Sequence, residues 1–66
     1  MIFLQYKGFT IKVEKIDGGY SMLSYRTQDK WVLVDEWNPS IKSKKEAITE
    51  CKTTIDDYLE NPEDYD

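Results

Sequence analysis

Phe9, Ile11 and Val13 alternate with Thr10, Lys12 and Glu14, the period of a strand with one face buried. Ile2, Leu4 and Tyr6 keep the same spacing in the opposite parity, and the phase changes at Lys7-Gly8. Glycine there permits a tight turn or a bulge, so residues 1–8 read either as a separate short strand or as the start of one long kinked strand. Asp17-Gly18-Gly19 is a hairpin signal, because glycine tolerates the positive φ of primed turns. The next strand runs from about Tyr20 to Thr27, and Gln28-Asp29-Lys30 turns the chain. Trp31 to Trp37 forms a further strand, which Asn38-Pro39 ends because proline has no amide to give to a ladder.

Beyond Pro39 the period changes. Ser43-Lys44-Lys45-Glu46 is a capping box, with serine at the N-cap and glutamate three residues on. Ala47, Ile48, Cys51, Ile55, Tyr58 and Leu59 follow as an apolar stripe at helical spacing, and Asn61-Pro62 stops the helix. The pattern predicts an α+β fold: a three-stranded antiparallel sheet with one C-terminal helix, about Lys44 to Glu60, packed on one face (β-β-β-α), with room for an extra short N-terminal strand. In the last strand, simple alternation puts Trp31, Leu33 and Trp37 on one face and Val32 and Val34 on the other. A single helix covers only one face of such a sheet. Apolar side chains on the far face therefore call for a second cover, another copy of the chain or a protein partner, unless residues 1–6 fold over it or it stays partly exposed.

Sixty-six residues make one domain with a thin core, for which a dimer or partner is a natural addition. The domain is expected to span residues 1–60, with 61–66 as an acidic tail. At 39% hydrophobic residues the chain is too apolar for a disordered one. No stretch approaches the ~18 apolar residues of a membrane span, and the N-terminal residues lack the basic lead of a signal peptide. The expected location is cytoplasmic. The net charge of −4 is uneven. Residues 1–55 carry nine basic and seven acidic groups, whereas Asp56, Asp57, Glu60, Glu63, Asp64 and Asp66 follow with no base among them. That end is expected to solubilise the domain or to meet a basic partner.

The chain has no histidine, the residue most used as a general base and metal ligand. Its single cysteine, Cys51, lies on the apolar helix stripe and reads as a small core residue rather than a nucleophile. Asp35 and Glu36 are strand neighbours that point to opposite faces, which does not make a catalytic pair. The reading is of a non-enzyme, with no catalytic residue, cofactor or metal site. Tyr20, Tyr25, Trp31 and Trp37 on a sheet, with Lys42, Lys44 and Lys45 before the helix, resemble a nucleic-acid surface, but the acidic balance disfavours autonomous phosphate binding.

The run from Phe9 to Tyr20, FTIKVEKIDGGY, resembles the first hairpin of the HicB-like antitoxin family. Lys45-Glu46-Ala47-Ile48 and Ile55-Asp56-Asp57-Tyr58-Leu59-Glu60 are similar to that family's helix and its end, so the resemblance covers residues 9–60. It implies a β-β-β-α core and a partner that is a small, basic, RNA-cleaving toxin. The leading expectation is a non-catalytic protein-interaction module, a regulator or inhibitor, that binds a protein partner or itself as a homodimer through the open sheet face. The expected contact residues are Tyr25, Trp31, Val32, Val34 and Trp37, with Asp56, Asp57 and Glu60 at the acidic end. The alternatives are a nucleic-acid-binding domain using the aromatic sheet and Lys42/Lys44/Lys45, and a homodimeric scaffold with no further activity.

Overall fold

The computed structural model describes residues 1–65, and Asp66 of the expected tail lies outside them. Four strands precede one long helix: β1 (Ile2–Tyr6), β2 (Phe9–Ile16), β3 (Gly19–Arg26), β4 (Val32–Asn38) and α1 (Lys44–Glu60), followed by a 3₁₀ turn over Pro62–Tyr65. The strands form one antiparallel meander in the order β1-β2-β3-β4. The N-terminal residues thus form a strand of their own. The two-residue turn Lys7-Gly8, with φ of 48° and 84°, joins it to β2. Asp17 and Gly18, with φ of 50° and 81°, make the second such turn. Positive φ at both central positions is the type I′ geometry that matches the twist of paired strands. Gly19 is therefore the first residue of β3 rather than a turn residue.

The α+β class with a helix on one face is as the pattern implies. Phe9, Ile11 and Val13 of β2, Tyr20 and Met22 of β3, Val34 of β4, and Ala47, Cys51 and Ile55 of α1 form the buried core. Ile41, in the loop between β4 and the helix, joins them at 3% exposure. No alternation surrounds Ile41 to mark it in the sequence. Within the helical stripe, Ile48 and Tyr58 are half-buried against the core. Leu59, expected to dock on the sheet, is instead 47% exposed.

The parity of β4 differs from simple alternation. Ser24 pairs with Val34, but Tyr25 pairs with Val32, so Leu33 is an extra residue opposite the Ser24–Tyr25 step. Such a bulge shifts the side-chain alternation by one. Trp31 and Val34 therefore both turn to the helical side, Val34 into the core and Trp31 against Tyr58, with ring centroids 5.1 Å apart. Val32, paired with Tyr25, and Trp37, paired with Ser21, belong to the opposite side. The two tryptophans, expected together, are on different layers.

Ser43 caps the helix in extended backbone conformation, its hydroxyl accepting the Glu46 amide at 3.1 Å. Glu46 does not return to the Ser43 amide; its carboxylate accepts the Lys42 N–H. Ser43→Ala leaves the Glu46 amide without this acceptor and should cost ~0.5–2 kcal/mol, with a smaller loss for Glu46→Ala. Urea titration measures both, and an unchanged midpoint for Ser43→Ala would place the helix start elsewhere.

Candidate interaction surface

Strand register builds the uncovered side of the sheet row by row. Phe3, Lys12, Leu23 and Asp35 align across the four strands. Gln5, Thr10, Tyr25 and Val32 form the next row, and Glu14, Ser21 and Trp37 the row on the other side. The helix packs on the opposite face, chiefly over β2 and β3. Phe3 is 59% exposed, Val32 and Trp37 49% each, and Ile16 39%. These side chains stand on a paired sheet rather than on loops, so their positions are set by the ladder.

The surface is polar at one end and apolar at the other. Thr10 is buried there because its hydroxyl contacts the Gln5 amide at 2.9 Å and the Thr27 hydroxyl at 2.8 Å. Lys12 lies over the Phe3 ring and Lys30 over the Tyr25 ring, at 5.9 and 5.0 Å from the centroids. Such contacts keep an aromatic face in place without removing it from solvent. At the apolar end the Trp37 indole N–H donates to the Ile16 carbonyl at 2.8 Å. Trp37, Ile16, Asp17 and Ser21 line a shallow depression of about 250 Å³.

The expected contact residues divide into three groups. Tyr25, Val32 and Trp37 are together on the open face. Val34 is not part of it: the bulge at Leu33 turns it into the core. Trp31 is also removed from it, half-buried beside Tyr58, with the Arg26 guanidinium 5.3 Å from its ring. The acidic group lies on the helical layer. Asp56 accepts hydrogen bonds from the Tyr6 hydroxyl and from Lys7 Nζ, at 2.9 and 2.8 Å. Asp57 accepts from the Tyr65 hydroxyl, which holds the phenol proton above its ordinary range. Glu60 is exposed. The tail is not a free arm up to Tyr65, whose ring packs edge-on to Tyr58 at 5.6 Å. Phe3, Lys12, Leu23 and Ile16 complete the surface. Their strand parity was visible in the sequence, but which parity the helix would cover was not.

Lys42, Lys44 and Lys45 are exposed at the head of the helix, in the layer opposite Tyr25 and Trp37. The two parts of the nucleic-acid reading are therefore not brought together. A second concavity, of about 600 Å³, opens where Lys7, Arg26 and Gln28 approach Tyr58 and Leu59. Both of its cations are engaged by carboxylates, Lys7 by Asp56 and Arg26 by Asp29. Cys51 is buried, and burial pushes its thiol up. No group of three or more metal-ligating side chains occurs among the described residues, and none of their helices is long and apolar enough to cross a membrane.

The ion pairs give the domain an acid limb. The Arg26 guanidinium, with a further bond from the Trp31 amide, lowers Asp29 from 3.8 to about 2. Lys7 and the Tyr6 hydroxyl hold Asp56 below its ordinary value. A carboxylate with a depressed folded-state pKa contributes stability above its unfolded value and loses it as pH falls through the folded one. Thermal melting should therefore move down between pH 3.8 and about 2, and Asp29→Asn should flatten that limb. An identical limb in the variant would show that the Arg26–Asp29 pair contributes nothing, as exposed pairs sometimes do.

No family model matches this chain, and neither a curated protein nor a solved structure matches it significantly.

Proposed function

We propose that the chain is a non-catalytic protein-interaction module, a small regulator or inhibitor, and that the open face of its sheet is the contact surface. The observation that carries the reading is the row structure of that face. Phe3, Ile16, Val32 and Trp37 are more than a third exposed, with Leu23 and Tyr25 half-buried among them. They stand on ladder-fixed backbone, interleaved with Lys12, Glu14 and Asp35. Aromatic anchors on a preorganised surface with charges between them are what a specific protein contact uses. The lack of histidine and the burial of Cys51 agree with a binding role rather than a catalytic one.

The HicB-like resemblance over residues 9–60 gives a narrower form: neutralisation of a small basic RNA-cleaving protein. The acid-rich end of the helix suits such a partner. Asp56, Asp57 and Glu60 crowd the last helical turn, which has no basic residue and where the helix dipole disfavours negative charge. Their contribution would be to encounter rate more than to affinity.

The test is affinity capture from the source cells with wild-type chain and with Tyr25→Ala/Val32→Glu as paired baits. Both substitutions lie on the open face, so circular dichroism and melting should change little. A partner held by the wild type and lost by the variant supports the reading. A partner held equally by both overturns the surface assignment. Micromolar binding of random oligonucleotides at physiological salt would replace the reading with the nucleic-acid one.

A further inference from the structure

The two edges of the sheet are not alike, and the difference concerns what each can pair with. At β4 the ladder is interrupted by the bulge at Leu33, Asp35 and Glu36 are adjacent, and Pro39 follows the strand. Bulges, charges and proline are the devices that keep an edge strand from pairing with another chain. β1, by contrast, is Ile2-Phe3-Leu4-Gln5-Tyr6, with no charge, no proline and unbroken register against β2. The helix lies chiefly over β2 and β3, which leaves Ile2, Leu4 and Tyr6 only half-buried on the helical side.

The hairpin fixes which backbone groups this edge presents. In a two-residue turn the flanking residues Tyr6 and Phe9 exchange hydrogen bonds. The bond from the Thr27 amide to the Gly8 carbonyl, 3.0 Å, confirms that Gly8 faces β3 and Phe9 faces β1. By alternation, Ile2, Leu4 and Tyr6 bond inward to β2, and Phe3 and Gln5 point their N–H and C=O groups outward.

We infer that β1 pairs antiparallel with β1 of a second copy of this chain, about a two-fold axis at Leu4. In that register Phe3 faces the second copy's Gln5, Gln5 faces its Phe3, and all four outward groups of each strand are bonded. Ile2 comes opposite Tyr6 and Leu4 opposite Leu4, so the half-buried residues of both copies make one apolar seam on the helical side. This arrangement uses the whole of the strand and is self-complementary, as a two-fold contact must be. The product is a continuous eight-stranded sheet with both helices on one side. Both open faces lie on the other side, where they form one doubled surface. The inference concerns the edge and stands whether or not the open face binds a protein.

The register supplies its own test. Leu4–Leu4 is a non-hydrogen-bonded pair, with Cα atoms about 4.5 Å apart, within the span of a disulfide. Phe3 residues of the two copies are offset by two positions, diagonal neighbours ~7–8 Å apart, which is beyond the reach of an unstrained disulfide. Under mild oxidation, Leu4→Cys should form a covalent dimer rapidly and nearly completely, while Phe3→Cys, at the more exposed position, stays largely monomeric. Wild type should sediment as a dimer at high micromolar concentration. Gln5→Pro, which removes an outward amide, should sediment as a monomer with an unchanged circular dichroism spectrum. A wild-type monomer throughout that range overturns the inference, as does crosslinking of Phe3→Cys as fast as Leu4→Cys. A dimer that persists with Gln5→Pro and also fails to crosslink at Leu4 places the contact elsewhere. Loss of partner capture by open-face variants leaves all these readouts unchanged, so the two proposals fail separately.

Discussion

Ile55→Ala should lower stability by ~2–4 kcal/mol and remove most of the cooperative unfolding transition. Ile55 is fully buried, in the same cluster as Phe9, Ile11 and Cys51. Truncation removes three methyl or methylene groups from a site whose walls are a paired sheet and a helix held at both ends. The site can collapse little, and the cost is the lost transfer energy plus the cavity. A domain of this length has on the order of 3–10 kcal/mol in total, so the loss is a large share of it. Chemical denaturation followed by tryptophan emission measures the change. A shift below about 1 kcal/mol would show that the helix does not seat Ile55 on the sheet. Ser24 gives the opposite case in the same core. Its buried hydroxyl has no hydrogen-bond partner among the described residues, and such a group is a cost rather than a contribution.

The helix was legible because three independent signals agree there: a capping serine, an apolar stripe of period 3.6, and a terminating Asn-Pro. The strand pairs around Asp17-Gly18 were equally legible, since turn chemistry sets register locally. The fourth strand was not. Its alternation reads Trp31-Leu33-Trp37 against Val32-Val34. The ladder to β3 skips Leu33 because the loop after Arg26 closes on Trp31, whose carbonyl accepts the Arg26 amide at 2.8 Å. That closure depends on partners in two strands, which no local pattern contains. The same bulge brings Tyr25, Val32 and Trp37 to one face and takes Val34 and Trp31 to the helical side. Phe3 and Lys12 were out of reach for another reason: the side the helix takes is decided by the whole sheet. Ile41 became core through a loop path that carries no periodicity.

Gly19→Ala should be among the most damaging single changes in the chain, though Gly19 lies outside the turn. A Cβ built at Gly19 falls 2.8 Å from the Asn38 carbonyl oxygen, 2.8 Å from the Pro39 Cα and 2.9 Å from the Trp37 indole nitrogen. Two of these are backbone atoms on an ordered strand end, so the clash is not relieved by a side-chain rotation. The β3–β4 ladder would have to open at Tyr20–Asn38, and the indole would lose its bond to the Ile16 carbonyl. Overpacking against backbone costs ~1–3 kcal/mol or more, and the lost hydrogen bond adds ~1 kcal/mol. Gly18 is the control, because it has φ of 81° and nothing within 4 Å of a built Cβ. Gly18→Ala should cost ~1–2 kcal/mol through left-handed backbone strain alone and leave the Trp37 environment intact. The variants separate by emission as well as by stability. Gly19→Ala should shift tryptophan fluorescence and raise its quenching by acrylamide, with Trp31 contributing a constant background, and Gly18→Ala should not. Equal spectra for the two variants would mean that the Trp37 ring does not rest over Gly19, and the apolar end of the open face would lose its anchor.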